Sequence, residues 1–162
     1  MAMRSVPAGW AILAILLVGA APRTIFASSA WVAFDRGASC EATARSDRIV
    51  TRLLEQAHAA FVFDRQGTRR GQFAAKLSRP VRPGASVMLT IGDRPFLLAA
   101  RDRFVWSKGP LQESAIIGAA RFASGMRIEA RSTGGERFVD GYQLAGVAGA
   151  IDAAAACSTR RG

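Results

Sequence analysis

From Val87 onward, apolar residues fall at every second position: Val87, Leu89 and Ile91 share one side of an extended chain. Gly92-Asp93-Arg94-Pro95 then turns it, Phe96 to Ala100 returns it, and a second turn at Arg101-Asp102 leads into Phe104 and Trp106. A period of two puts alternate side chains on one face of a strand. Short runs joined by tight turns then pair as an antiparallel meander. The same period recurs at Phe61 and Phe63, and after the turn from Asp64 to Arg70 at Phe73, Ala75 and Leu77. Met126, Ile128 and Ala130 alternate with Arg127, Glu129 and Arg131, and Gly134-Gly135 turns the chain into Phe138 to Leu144. Trp31 to Phe34 and Cys40 to Ala44, around Asp35-Arg36-Gly37, supply two further extended pieces.

Three segments break this period. Ile49, Val50, Leu53, Leu54 and Ala57 fall on one helical face, with Ser46 placed to cap it. Pro110 opens a second helix, in which Leu111, Ala115, Gly118 and Phe122 recur at helical spacing, with Ile116 and Ala119 beside them; the spacing predicts that this face packs inward. Val147 to Cys157 carries Asp152 as its only charge, and a helix apolar almost all round is buried, here against the sheet. The prediction is an α+β domain, mainly antiparallel and sandwich-like, with six to eight strands and two or three packed helices.

The first thirty residues read differently. Arg4 precedes an apolar run from Trp10 to Ala21 that Pro22 and Arg23 interrupt, which is the pattern of a secretory leader and shorter than the ~20 residues of a membrane span. Small residues place its removal after Ala27 or after Ala30, leaving residues 31–162 as one exported domain with no transmembrane segment. In an oxidising compartment the two cysteines, Cys40 and Cys157, are expected to bridge and clasp the two ends of that domain. The chain carries a formal net charge of +10. Removing the leader takes away only Arg4 and Arg23, and the remaining arginine excess suits an anionic surface. Arg65, Arg69 and Arg70 cluster in one turn and, with Arg79 and Arg82, form the candidate anion-binding set.

Catalytic chemistry finds no comparable pattern. His58 is the sole histidine and has no ligand partners at metal-binding spacing, so neither a metal nor a cofactor is expected. Neither cysteine lies in a C-x-x-C pair. Asp35, Asp64, Asp93, Asp102 and Asp140 stand beside glycine or arginine, where short acids stabilise turns. Gly67-Thr68-Arg69-Arg70-Gly71 lacks the order and the strand-to-helix context of a phosphate loop. Nucleic acid is disfavoured, because Phe61, Phe63 and Phe73 sit at core positions rather than among exposed charges.

Several segments together resemble the invasion-associated locus B family of bacterial exported proteins. They are Ser86-Val87-Met88-Leu89-Thr90-Ile91-Gly92 with Arg94-Pro95-Phe96, the helix end at Gly125-Met126-Arg127, and Tyr142-Gln143-Leu144-Ala145-Gly146 followed by Ala150-Ile151-Asp152-Ala153. The similarity spans most of residues 31–157. It implies a periplasmic or secreted envelope domain, rich in antiparallel sheet, without a known enzymatic activity and associated in some members with host-cell entry. It carries no catalytic residues across, and this chain holds only the outer cysteine pair. The functional expectation is a non-enzymatic envelope protein that binds a protein partner or an anionic envelope component; the alternative is a periplasmic enzyme of unrecognised type.

Overall fold

The computed structural model describes residues 21–48 and 55–160. Ten strands form one antiparallel sheet: β1 (Arg23–Ala27), β2 (Val32–Asp35), β3 (Ser39–Arg45), β4 (His58–Asp64), β5 (Arg70–Lys76), β6 (Val87–Ile91), β7 (Arg94–Arg101), β8 (Phe104–Trp106), β9 (Gly125–Arg131) and β10 (Arg137–Gln143). Two helices join them, α1 (Pro110–Ala120) and α2 (Val147–Thr159). The spatial order is β1-β2-β3-β4-β5-β8-β7-β6-β9-β10. The first five strands follow the chain. The β6–β8 meander then pairs in reverse, and α1 carries the chain across to β9 beside β6.

The expected α+β architecture is therefore present, with ten strands rather than six to eight. The additional strand β1 lies inside the stretch assigned to the leader. It pairs with β2, Phe26 rests against Gly149 of α2, and the Ser28 hydroxyl donates to Trp31 O and accepts from Trp31 N. The helix expected over 49–57 falls on residues of which 49–54 lie outside the described part; 55–57 are irregular and His58 opens β4.

The inner face of the sheet alternates large and small residues for a physical reason. Ala33, Ala42, Ala44, Ala59 and Ala75 leave space into which α2 settles through Ala150, Ile151, Ala154 and Cys157. Trp31, Phe61 and Phe73 fill the remainder, with ring centroids 5.6 and 5.4 Å apart. Trp31 buries its indole without orphaning the N–H, which donates to Gln143 O at 2.8 Å. That bond, the Asp47 N–H donating to Gly141 O, and the Ser78 N–H and hydroxyl donating to the buried Asp140 carboxylate pull β10 back against the first half of the sheet. The sheet thus curls around its core instead of lying flat.

Cys40 and Cys157 form the expected disulfide, joining the inner face of β3 to the end of α2 with Cα atoms 6.0 Å apart. Small residues on both partners allow this close approach. The inward assignment for Leu111 and Phe122 is corrected. Both are 91% exposed, and α1 instead buries Glu113, Ile116, Ala119 and Ala120. Both sides of α1 are apolar enough to pack, and polar anchors select the orientation: the Ser107 hydroxyl donates to Glu113, and Gln112 donates to Leu97 O. Arg121 of the following turn pairs with Asp152 of α2.

Candidate functional site

Among the described residues both helices lie on one face of the sheet, so the outward positions of β2 to β5 and β8 are left open by them. Directly opposed residues in antiparallel strands share a face, and the register builds three rows across these strands. The middle row is Val32, Thr43, Ala60, Ala74 and Trp106. On one side run Phe34, Glu41, Val62 and Gln72; on the other run Arg45, His58, Lys76 and Phe104. Thr43, Ala60 and Ala74 keep the centre of the middle row low between larger flanking side chains, which shapes a trough running across the strands and closed at one end by Trp106. Its two adjoining hollows, of about 480 and 920 Å³, share Arg36, Thr43 and His58. Five strands at ~4.8 Å spacing give a length of about 19 Å.

The two ends differ. At β8, Trp106 lies half-buried beside Phe104, which is 53% exposed. At β2, the Arg36 guanidinium stands 5.4 Å over the Phe34 ring and donates to Glu41 at 2.6 Å. Lys76 and Arg103 share one carboxylate, that of Glu55. Among the described residues Arg45 has no carboxylate partner. Desolvation lowers the His58 imidazole below its ordinary value, and Lys76 and Arg36 push the same way, against the backbone at Gln56 and the Glu41 charge; it is neutral at pH 7. Among the described residues no hydrogen bond joins His58 to a hydroxyl or a carboxylate, the arrangement a base acting on a nucleophile requires.

The five arginines proposed from sequence separate into two groups. Arg65, Arg69 and Arg70 come together in the β4–β5 turn, whereas Arg79 and Arg82 lie beyond the far end of β5, roughly 30 Å away along an extended chain. Most are engaged internally. Arg65 donates to Gly37 O, to Cys157 O and Arg160 O at the carbonyl end of α2, and to Asp35. It thereby acts as a clip on a helix C-terminus, where positive charge is favoured. Arg69 pairs with Asp64 through two nitrogens, at 2.6 and 2.9 Å, Arg70 donates to Asp64 O, and Arg79 pairs with Glu136. The Asp64 carboxyl is held below its usual range chiefly by Arg69, and that of Asp35 by the Gly37 N–H and then Arg65.

Asp35, Cys40 and Cys157 bring ligand atoms within 4.8 Å of one another. Both sulfurs are spent in the disulfide and Asp35 already accepts from Arg65, so this donor set offers no thiolate to a metal. The trough residues escape sequence reading, since five strands contribute to them and only cross-strand register brings them together. The one local signal is the pair Phe104 and Trp106, two aromatics on a single side of a three-residue strand. No family model, curated protein or solved structure matches the chain. Among the described residues no helix is long and apolar enough to cross a membrane.

Proposed function

We propose that this chain is an exported, non-enzymatic domain of the bacterial envelope that binds an anionic partner in the trough across the outer face of its sheet. The observation that carries the reading is the trough itself. Among the described residues it is an open, helix-free face on which Arg36, Arg45 and Lys76 surround a floor of small residues, with half-buried Trp106 and exposed Phe104 at one end. The disulfide supports an oxidising destination, and the resemblance to the invasion-associated locus B family supports an envelope role. The net charge of +10 on the full chain, of which the residues before Pro22 carry only Arg4, leaves the exported domain strongly basic and favours approach to anionic surfaces.

Retention of the purified domain on lipopolysaccharide and on acidic phospholipid vesicles across a salt series tests this. Binding should fall steeply with salt, and Arg45→Gln with Lys76→Gln should weaken it more than Arg69→Gln with Arg70→Gln. Absence of binding at low salt would refute the anionic partner.

Export also bears on where the leader ends. A cut after Ala27 or Ala30 would remove β1, whose Phe26 packs on α2, and would sever the Ser28 bonds to Trp31. Gly19-Ala20-Ala21 offers the same pattern of small residues ahead of Arg23. Processing at that step keeps the sheet whole. Intact mass of the exported protein should therefore place its first residue between Ala20 and Pro22; a start at Ser28 or Trp31 would show that β1 is dispensable.

A further inference from the structure

Resting on the reading of the trough as an anion-binding face, we propose that its ligand is an extended acidic oligosaccharide lying across strands β2 to β8, with Trp106 and Phe104 as stacking platforms. The trough runs perpendicular to the strands. Its floor strands β3, β4 and β5 are each bonded on both sides, so no free backbone edge lies within it and a peptide has nowhere to add as a strand. What the trough presents is side chains alone: the Thr43 hydroxyl, the Gln72 amide, the neutral His58 imidazole, and the cations Arg36, Arg45 and Lys76.

That mixture matches the chemistry of a sugar chain. Hydroxyl groups around a pyranose ring need many short-range donors and acceptors, while its C–H face needs a flat apolar surface. Trp106 closes the floor row, and Phe104 stands beside it on the same face of β8. A sugar stacked there leads its neighbours over Ala74, Ala60 and Thr43, where small side chains leave room, toward Arg36 and Arg45. Of the side chains lining the two hollows, Arg36, Arg45 and Lys76 are cationic and Glu41 and Asp47 acidic, an excess of one positive charge; Arg36 and Lys76 are paired with Glu41 and Glu55, so among the described residues Arg45 is the cation left to select acidic over neutral sugars. Single-stranded nucleic acid would call for stacking platforms at successive steps along a groove; here Trp106 and Phe104 stand at one end and Phe34 at the other, with no Phe, Tyr or Trp in the rows between them.

The test is a titration of the exported domain with oligogalacturonates of increasing length, followed by tryptophan fluorescence. The reporters are Trp106 in the trough and Trp31 fully buried behind it. Affinity should rise with chain length until the trough is filled and fall with salt. Trp106→Phe should remove most of the signal change. Trp106→Ala, and independently the exposed Phe104→Ala, should weaken binding by about tenfold or more, the scale of losing a central contact. Neutral oligosaccharides of equal length should bind at least tenfold more weakly; equal binding overturns the acidic selection. Stronger binding of polyglutamate, an oligothymidylate or anionic vesicles that depends on Trp106 overturns the sugar. If vesicles or lipopolysaccharide bind through Arg45 and Lys76 but oligogalacturonate does not, the ligand class fails while the anion-binding reading stands. If no anion binds at low salt, both fall.

Discussion

The two faces of strands β2 to β5 share a backbone and differ in almost everything else. Inward, Cys40, Phe61, Phe73 and Ala75 are buried against α2 and α1, stapled by the disulfide and closed by bonds to β10. Outward, Thr43, Ala60, Ala74 and Trp106 line a trough that no element of the described residues covers. Alanine serves both faces, admitting a helix on one side and leaving an open floor on the other. Stability is thus concentrated behind the sheet and binding chemistry in front of it, so substitutions on the two sides should separate cleanly.

The largest effect is expected from the inner face. Phe61→Ala should lower unfolding free energy by about 3–5 kcal/mol, measured by denaturant titration. Cys40→Ser and Cys157→Ser should each cost about 2–5 kcal/mol, and the double variant no more than either single one. Additive losses would mean that the cysteines act separately. On the outer face, Phe104→Ala and Trp106→Ala should change stability by less than about 1.5 kcal/mol while weakening the anionic ligand. A collapse of stability there would make the trough a part of the core.

Helix α1 sharpens the same contrast within one element. Ile116→Ala should cost about 2–5 kcal/mol, whereas Leu111→Ser and Phe122→Ser should stay within about 0.5 kcal/mol. A large loss at Leu111 would return that side of α1 to the interior. The smallest effect concerns pH. His58 is neutral at pH 7 because burial lowers its imidazole, so it gains charge only below about pH 6.5. Lys76, Arg36, Arg45, Glu41 and Asp47 line the trough around it. Anionic ligand should therefore bind a few-fold more tightly as pH falls below that value, and His58→Gln should flatten the dependence. Stability runs the opposite way. The unfolded chain takes up the proton more readily, so the contribution of His58 is present above its unfolded value and is lost as pH falls.

Sequence made the inner face legible because its signals are local. Alternation at Phe61, Phe63, Phe73 and Ala75 identifies core positions, and the nearly uncharged run from Val147 to Cys157 identifies a buried helix carrying one half of the disulfide. What escaped depends on distant partners. Periodicity marks apolar stripes on α1 without saying which stripe meets the sheet; Ser107 and Asp152 decide that. The arginines of the β4–β5 turn look free until Asp35, Asp64 and the end of α2 arrive beside them. The trough depends on register across five strands, which no single segment encodes.

Chemical-shift mapping of the exported domain, with oligogalacturonate added stepwise at low salt, tests the central claim most directly. The account predicts perturbations at Thr43, His58, Ala60, Gln72, Ala74, Phe104 and Trp106, with inward neighbours such as Ala42 and Phe73 moving far less. Perturbations centred on the turn from Asp64 to Arg70, or on Leu111 and Phe122, would contradict it and move the binding face elsewhere on the molecule.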